Sequence, residues 1–353
     1  MKITVPTIDF GTSKIVTMVA QSNGERCDIV GSGAVPYSGY LQDGWNNPDE
    51  IRDVIRTAID QAQKTGNCRI HELNVGVPGM FTRVIVKEVH VSLTGPDPHV
   101  TAQDVRACFK LAEESGGDRI IHSAPAWFRV DDGKKTLSPV GIKGRELSAM
   151  IALVTADKYF IDDITYRLRD MDIEPREFYS TVAGEATYAL SQDERDKTAM
   201  LIDIGYLCTD VMVMEGDALI FHKCLDIGGG HISADIAEQL NIPFPFVEEK
   251  IKQTYSFNST NQDETYVIPA TEDEPARTVR RDEVTPIIEA KVEEIAEAIN
   301  KALEEGGVKL GKWSNVYLTG GGLILNKGGK DFLARKLHRI LREAQRTHNK
   351  MTS

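Results

Sequence analysis

Two segments of the chain share one rhythm of apolar and polar positions. The first reads TVPTIDFGTSKIVTMVA, then SNGE, then CDIVGSG. The second, near residue 200, reads TAMLIDIGYLCTDVMVM, then EGDA, then LIFHKCLDIGGG. Each predicts a strand, an Asp-x-Gly turn, a second strand, a tight turn and a third strand that stops at glycine. An antiparallel meander alone produces this pattern. The shared ID(F/I)G at the same place in both favours a duplicated unit, each with its own sheet.

Helical periodicity follows each meander. Asn47-Pro48-Asp49-Glu50 carries a cap, a proline for the first helical position and acids for the first turn. Ile51, Val54, Ile55, Ala58, Ile59 and Ala62 then share a face, and Gly66 stops the helix. Leu73 to Val77 reads as a buried strand. Further helices are predicted over about 157–171, 233–240 and 283–305. Between them, residues 83–155 follow their own order: an alternating strand RVIVKEVHVSL, a helix opened by Thr101-Ala-Gln-Asp104, and the strands IIHSAPAWFRV and LSAMIALVTA. A strand–helix–strand–strand block of this size is a small inserted subdomain. Residues 256–285 are polar and read as an exposed hairpin or loop.

At 353 residues the chain exceeds one simple core and fits two lobes. A net charge of −12 excludes a general nucleic-acid binder but not a nucleotide, which backbone N–H groups can hold. The cysteines at 27, 68, 108, 208 and 224 form no CxxC pair, which reads as reduced thiols without a zinc site. No run reaches the length of a membrane-spanning helix or a signal peptide.

The turn Asp9-Phe-Gly11-Thr12-Ser13-Lys14 is richer than a hairpin needs. Gly11 admits a close ligand, and turn N–H groups, two hydroxyls and an ammonium suit phosphate oxygens. Asp9 would repel phosphate, so it suits Mg²⁺, held through water. Asp203-Ile-Gly205 offers the same acid and glycine from the second meander. Each Asp-x-Gly alone is also common turn punctuation. Val316-Tyr-Leu-Thr-Gly320-Gly321-Gly322 is a strand ending in a glycine turn that leads into helical sequence. It is neither a Walker A loop nor a dinucleotide-binding GxGxxG. Alone, it fits a flexible loop as well as a ligand loop.

Hairpin, hairpin and TGGG in that order resemble the actin/Hsp70/sugar-kinase ATPase superfamily, a two-lobed α/β fold of duplicated ribonuclease-H-like units. TIDFGTSKI, DEIRDVIRTAIDQAQ with VGVPG, IIHSAPAWFRVD, and above all SPVGIKGRELSAMIALVTA are similar to the FtsA family of bacterial cell-division actin homologues. GGGHISADIAEQL, the E-x-x-K of Glu249 and Lys252, and YLTGGGL extend the likeness over about residues 5–325. The resemblance implies lobe 1A over 1–82 and 156–195, an inserted subdomain 1C (an SHS2 domain) over 83–155, lobe 2A over 196–242 and 308–353, and 2B over 243–307. It implies ATP with Mg²⁺ as ligand, held by Asp9, Gly11, Thr12, Ser13, Lys14, Asp203, Gly205, Thr209, Gly229, Glu249, Lys252, Gly320, Gly321 and Gly322. Asp9 and Asp203 would serve the metal. It further implies a cytoplasmic filament-forming scaffold at the inner face of the membrane at the septum, a tubulin-like FtsZ as partner, and at most weak ATPase activity.

Two departures keep alternatives open. The family's second phosphate loop, D-I-G-G-G-T-x-D, here has Tyr206, Leu207 and Cys208 in place of two glycines and a threonine. That supports a degenerate adaptor, or a pilus-assembly relative of the PilM type, binding nucleotide weakly or not at all. A small-molecule kinase on this fold would need a general base, and none stands out; Glu185 reads as structural. The chain also ends soon after TGGG. Residues 331–346 read as an amphipathic helix with Phe332, Leu333, Leu337, Ile340, Leu341 and Ala344 on one face. Residues 327–350 hold eight Lys or Arg against two acids. The segment is either the fold's own helix or a peripheral membrane contact.

Overall fold

The computed structural model describes all residues except 1–2, 25, 42–43, 115, 118, 262, 271–274, 312–313 and 345–353. It contains two compact units. Among the described residues, one comprises those within 3–199 and 212–222, the other those within 200–211 and 223–344.

In the first unit, β1 (Ile3–Phe10), β2 (Lys14–Ser22) and β3 (Cys27–Pro36) form the expected antiparallel meander. A two-residue pair, β4 (Tyr40–Leu41) with β5 (Gly44–Trp45), follows. Helix α1 (Ile51–Gly66) buries its six predicted apolar positions and ends at Asn67 in the left-handed region. It begins at Ile51, because Pro48–Glu50 form a turn in which the Glu50 carboxylate accepts from the Ser38 N–H at 2.7 Å. Strand β6 (Glu72–Val77) joins β1 in parallel.

The inserted block then appears as β7 (Thr82–Ser92), α2 (Ala102–Glu114), β8 (Ile120–Val130) and β9 (Glu146–Ala156), with sheet order β7-β9-β8. Its core packs Cys108 and Ala112 of α2 against Phe128, Leu147, Ala149, Ile151 and Leu153. Helix α3 (Lys158–Arg169) is capped by Asp157, whose carboxylate accepts from the Tyr159 N–H at 2.8 Å. Strand β10 (Glu174–Ser180) runs parallel to β6. Helices α4 (Thr181–Ala189) and α5 (Gln192–Arg195) close the first unit's long run of chain, α5 through a Ser191–Glu194 capping box.

The second meander is β11 (Ala199–Ile204), β12 (Thr209–Glu215) and β13 (Ala218–Leu225). Its outer turn, 212–222, belongs to the first unit, where Ala218 and Ile220 pack against Ala124, Ala126, Trp127 and Ala152 of the inserted subdomain. Lys135 pairs with Glu215 at 2.9 Å on that face, and its ammonium lies 4.6 Å from the Trp127 ring centre.

After α6 (Gly229–Gln239) come the one-turn α7 (Phe244–Phe246), a π-helical segment (Val247–Lys252) and a hairpin, β14 (Thr265–Ile268) with β15 (Arg277–Arg280). Helix α8 (Arg281–Glu305), β16 (Val316–Thr319), α9 (Gly329–Leu337) and β17 (Leu341–Glu343) complete the chain. The sheet order β13-β12-β11-β16-β17 repeats β3-β2-β1-β6-β10 strand for strand. In each, two parallel strands follow the first strand of the meander. The duplication expected from the shared ID(F/I)G is therefore a duplication of topology.

Three sequence expectations are corrected. Helix α6 starts at Gly229, four residues before its expected start, because the glycines themselves form its first turn. TGGG does not open directly onto a helix: turns occupy 321–328 and α9 begins at Gly329. Residues 331–346 are not one helix. His338 adopts φ 53°, the helix stops, and residues 341–343 pair in parallel with β16. Phe332, Leu333, Leu337 and Leu341 of the proposed apolar face are buried in the fold, whereas Ile340 is exposed. Residues 345 and 346 lie outside the described residues.

Candidate functional site: two matching glycine turns

The first turn is built at the end of β1. The Gly11 N–H donates to the Lys14 carbonyl at 3.1 Å, closing a tight loop with Thr12 and Ser13 at its tip. Two tyrosines missed by the sequence reading brace it. The Tyr37 hydroxyl donates to the Gly11 carbonyl at 2.7 Å, and the Tyr40 hydroxyl donates to the Phe10 carbonyl at 3.0 Å. The Tyr37 N–H donates to the Ser13 carbonyl at 3.2 Å. Thr12 is buried and Lys14 is exposed, free to swing toward an anion. Nothing in the local pattern signals the tyrosines, because they lie on the far side of β3.

Asp9 sits beneath this turn. Burial raises its carboxyl above the ordinary 3.8, opposed by a hydrogen bond from the Phe10 backbone. Gly76 on β6 makes room for it. A Cβ there would lie 3.3 Å from Asp9 Oδ1 and 2.8 Å from the Thr181 methyl. A carboxylate held against its solvation preference marks a site kept for something other than stability.

The raised value also fixes a pH dependence. The folded state prefers the protonated acid, so Asp9's contribution is fully favourable below 3.8 and is lost as pH rises through the folded value. Asp9→Asn removes that loss. At pH 7 the variant should have the higher urea midpoint, with the gap closing as pH falls toward 3.8. A lower midpoint at pH 7 would refute this account of Asp9.

The second turn has the same architecture. The Gly205 N–H donates to the Cys208 carbonyl at 2.9 Å. Here Tyr206 and Leu207 occupy the tip in place of Thr12 and Ser13. The carbonyls of this turn are in use: Gly205 accepts from the Gly229 N–H at 2.9 Å, and Tyr206 accepts from the Gly230 N–H at 2.7 Å. The first N–H groups of α6, which at an open helix terminus are ready for an anion, are satisfied by the turn itself.

Thr209 is fully buried, and its hydroxyl donates to the Ile227 carbonyl at 2.7 Å. The threonine proposed as a phosphate ligand is thus engaged in tying β12 to the end of β13. The Cys224 thiol is held well above the usual thiol range by its hydrogen bond to Cys208, then by burial and the Asp210 charge.

The TGGG turn meets the second hairpin backbone to backbone. The Gly322 N–H donates to the Ile204 carbonyl at 2.8 Å. A Cβ on Gly229 would overlap the Gly322 backbone, and one on Gly322 would overlap the Gly205 and Ile204 carbonyls. Gly320, at φ 90°, lies beside the Asp203 carboxylate. Gly321 is different: it is exposed, and a Cβ there meets nothing within 4 Å.

Lys252 is buried beside this group, 3.0 Å from Glu248 and 5.8 Å from the Tyr206 ring centre. Its carbonyl accepts from the Asn326 side chain at 2.6 Å. The lysine's partner in the π-helical turn is Glu248, whereas Glu249, the acid singled out in the sequence, is exposed. A π turn is wider than an α turn and aligns residues four to five apart better than three.

Within the first unit the structure therefore gathers Asp9, Gly11, Thr12, Ser13 and Lys14. Within the second it gathers Asp203, Gly205, Gly229, Gly320, Gly322 and Lys252. The family comparisons fall on the same framework. The model for "SHS2 domain inserted in FTSA" matches residues 79–155, and the model for "Cell division protein FtsA" matches 200–346. Together they cover more than half of the chain.

This chain belongs to the FtsA family.

Among FtsA proteins, that of Pseudomonas aeruginosa is 26% identical over 320 residues, covering 89% of this chain and 76% of its own length. That of Bacillus subtilis is 26% identical over 306 residues, covering 85% and 70%. Solved structures agree on the fold at lower identity. The PilM-PilN type IV pilus biogenesis complex aligns with TM-score 0.62 at 18% identity, covering 96% of this chain and 87% of that one. MreB 5 of Spiroplasma citri, bound to AMPPNP, aligns with TM-score 0.56 at 11% identity, covering 98% and 93%. The actin-like fold expected from the hairpin–hairpin–TGGG order is confirmed, and the inserted strand–helix–strand–strand block is the FtsA-type SHS2 domain. Among the described residues no helix is long and apolar enough to cross a membrane.

Proposed function

We propose that this FtsA-family chain is an ATP-binding scaffold of the division ring that recruits or organises an FtsZ-like tubulin homologue and self-associates. The observation that carries the reading is the match to FtsA family models through the insertion, residues 79–155, and over residues 200–346. The ligand of this reading is ATP with Mg²⁺, and each unit carries one Asp-x-Gly turn. Thr12, Ser13 and Lys14 fit phosphate oxygens, Asp9 and Asp203 fit a hydrated Mg²⁺, and Gly321 and Lys252 fit the adenosine end. When bound, Mg²⁺ offsets the phosphate charge, and the protein's share is placement. The nucleotide acts as an assembly switch, since its binding energy favours the conformation it binds more tightly. Work at the septum, on the cytoplasmic face of the membrane, follows from the same reading.

A second reading, an adaptor that binds nucleotide weakly, is favoured by one feature. The second turn carries Tyr206 and Leu207 at its tip, and its carbonyls and the α6 N–H groups satisfy each other. Titration of a fluorescent ATP analogue with Mg²⁺ separates the readings. The scaffold reading expects saturable binding that Lys14→Ala weakens about tenfold or more, the loss of one charge-assisted hydrogen bond. Absence of saturable binding, with an FtsZ tail peptide still bound, leaves the adaptor. Failure to bind that peptide in either nucleotide state removes the recruitment role.

A further inference from the structure

The five cysteines are scattered in sequence, yet strand pairing assembles two of them with an acid. Cys208 Sγ, an Asp210 carboxylate oxygen and Cys224 Sγ all lie within 4.8 Å of one another. The Cys224 thiol is hydrogen-bonded to both Cys208 and Asp210. Cys208 is buried, and Asp210 and Cys224 are half-buried. The scaffold around them is firm. Cys208 closes the second glycine turn through its carbonyl, and Thr209 next to it is bonded to Ile227 at the end of β13.

The donor set and spacing are those of a soft-metal site. Tetrahedral zinc with thiolate arms of about 2.3 Å sets donors roughly 3.8 Å apart, within the span observed. Two sulfurs and one carboxylate select a borderline-soft ion such as Zn²⁺ over Mg²⁺ or Ca²⁺, which take oxygen ligands. Three protein ligands leave a fourth position for water. The sequence hides the site because 208 and 224 are too far apart for a zinc-ribbon motif. They meet only because β12 and β13 form a hairpin whose open ends lie side by side.

We propose that Cys208, Asp210 and Cys224 bind a Zn²⁺-class metal ion that clamps the ends of β12 and β13 directly behind the second glycine turn. The ion bridges the two strands at the root of the Tyr206–Leu207 tip and stiffens that turn. This is distinct from any Mg²⁺ carried by a nucleotide, which the aspartates at 9 and 203 would serve.

The test is titration of the reduced, purified full chain with Co²⁺ under anaerobic conditions, followed by Zn²⁺. The site predicts a near-ultraviolet sulfur-to-cobalt charge-transfer band that saturates at one equivalent and is displaced by Zn²⁺ but not by Mg²⁺. Cys224→Ser and Cys208→Ser should each abolish the band, and Asp210→Asn should weaken cobalt binding by roughly tenfold or more. Cys108→Ser, in the inserted subdomain, should leave it intact. Zn²⁺ should raise the thermal midpoint of the wild-type chain and not that of Cys224→Ser. If Cys208→Ser fails to fold, Cys224→Ser and Asp210→Asn carry the test, since neither is fully buried. No charge-transfer band, a band that survives in Cys224→Ser, or a Cys208–Cys224 disulfide in the chain kept under reductant each overturns the proposal.

Discussion

Phe160→Ala should lower the stability of the first unit by about 3–5 kcal/mol. Phe160 is fully buried on α3. Its ring lies 5.5 Å from Phe10 edge-on, 4.9 Å from Phe81 in a stack and 6.0 Å from Trp45. Truncation loses the transfer energy of the ring and leaves a cavity among three aromatic neighbours that cannot collapse without tilting their rings. Phe10 stands one residue before Gly11, so the cavity opens directly under the first glycine turn. Urea unfolding followed by Trp45 fluorescence should show a lower midpoint with an unchanged slope. Amide exchange along β1 and β2 should rise before that in the second unit. A cost below about 1 kcal/mol, the range of an ordinary surface change, would mean that the aromatic cluster does not brace the turn.

That cluster shows which parts of the molecule the sequence displays. The apolar spacing of Ile51 to Ala62 and of Phe160, Ile164 and Leu168 is periodic, and those faces are buried. The twin ID(F/I)G turns are legible because a tight turn needs specific residues at fixed offsets, and both close through a glycine N–H to the residue three further on. Tyr37 and Tyr40 are not legible: each reaches the turn across a strand, and no local rule links a tyrosine to a carbonyl some thirty positions away. The same holds for Cys208 and Cys224, and for Gly76, whose missing side chain matters only because Asp9 lies opposite. Residues 331–346 mislead for another reason. Amphipathic spacing is the same whether a helix covers a core or a membrane, and it cannot reveal that His338 turns the chain back into a strand. Most of the tail's apolar positions face the fold: Phe332 packs on Phe257, and Leu333, Leu337 and Leu341 are buried, while Ile340 is exposed.

The glycines of the second unit can be divided between folding and ligand by single alanines. Gly229→Ala and Gly322→Ala should each cost about 3 kcal/mol or more, the upper end for overpacking. In both, the new methyl would meet backbone atoms of the facing segment, which cannot rotate away as a side chain can. Gly229 faces Gly322, and Gly322 faces Gly205 and Ile204, so either change pries apart the α6 start, the TGGG turn and the hairpin. Gly321→Ala should stay within about 0.5 kcal/mol of wild type, because its missing methyl would stand in open space. Thermal or urea midpoints of the three variants check this ordering, and equal losses in all three would contradict the backbone packing. The contrast then isolates the ligand. A variant that folds as wild type but crowds the open side of the turn reports on whatever approaches it. If adenosine lies there, Gly321→Ala weakens Mg-ATP binding while leaving the midpoint untouched. If Mg-ATP affinity is unchanged as well, the third glycine serves the turn alone, and the adenosine end of the proposed site has to be sought elsewhere.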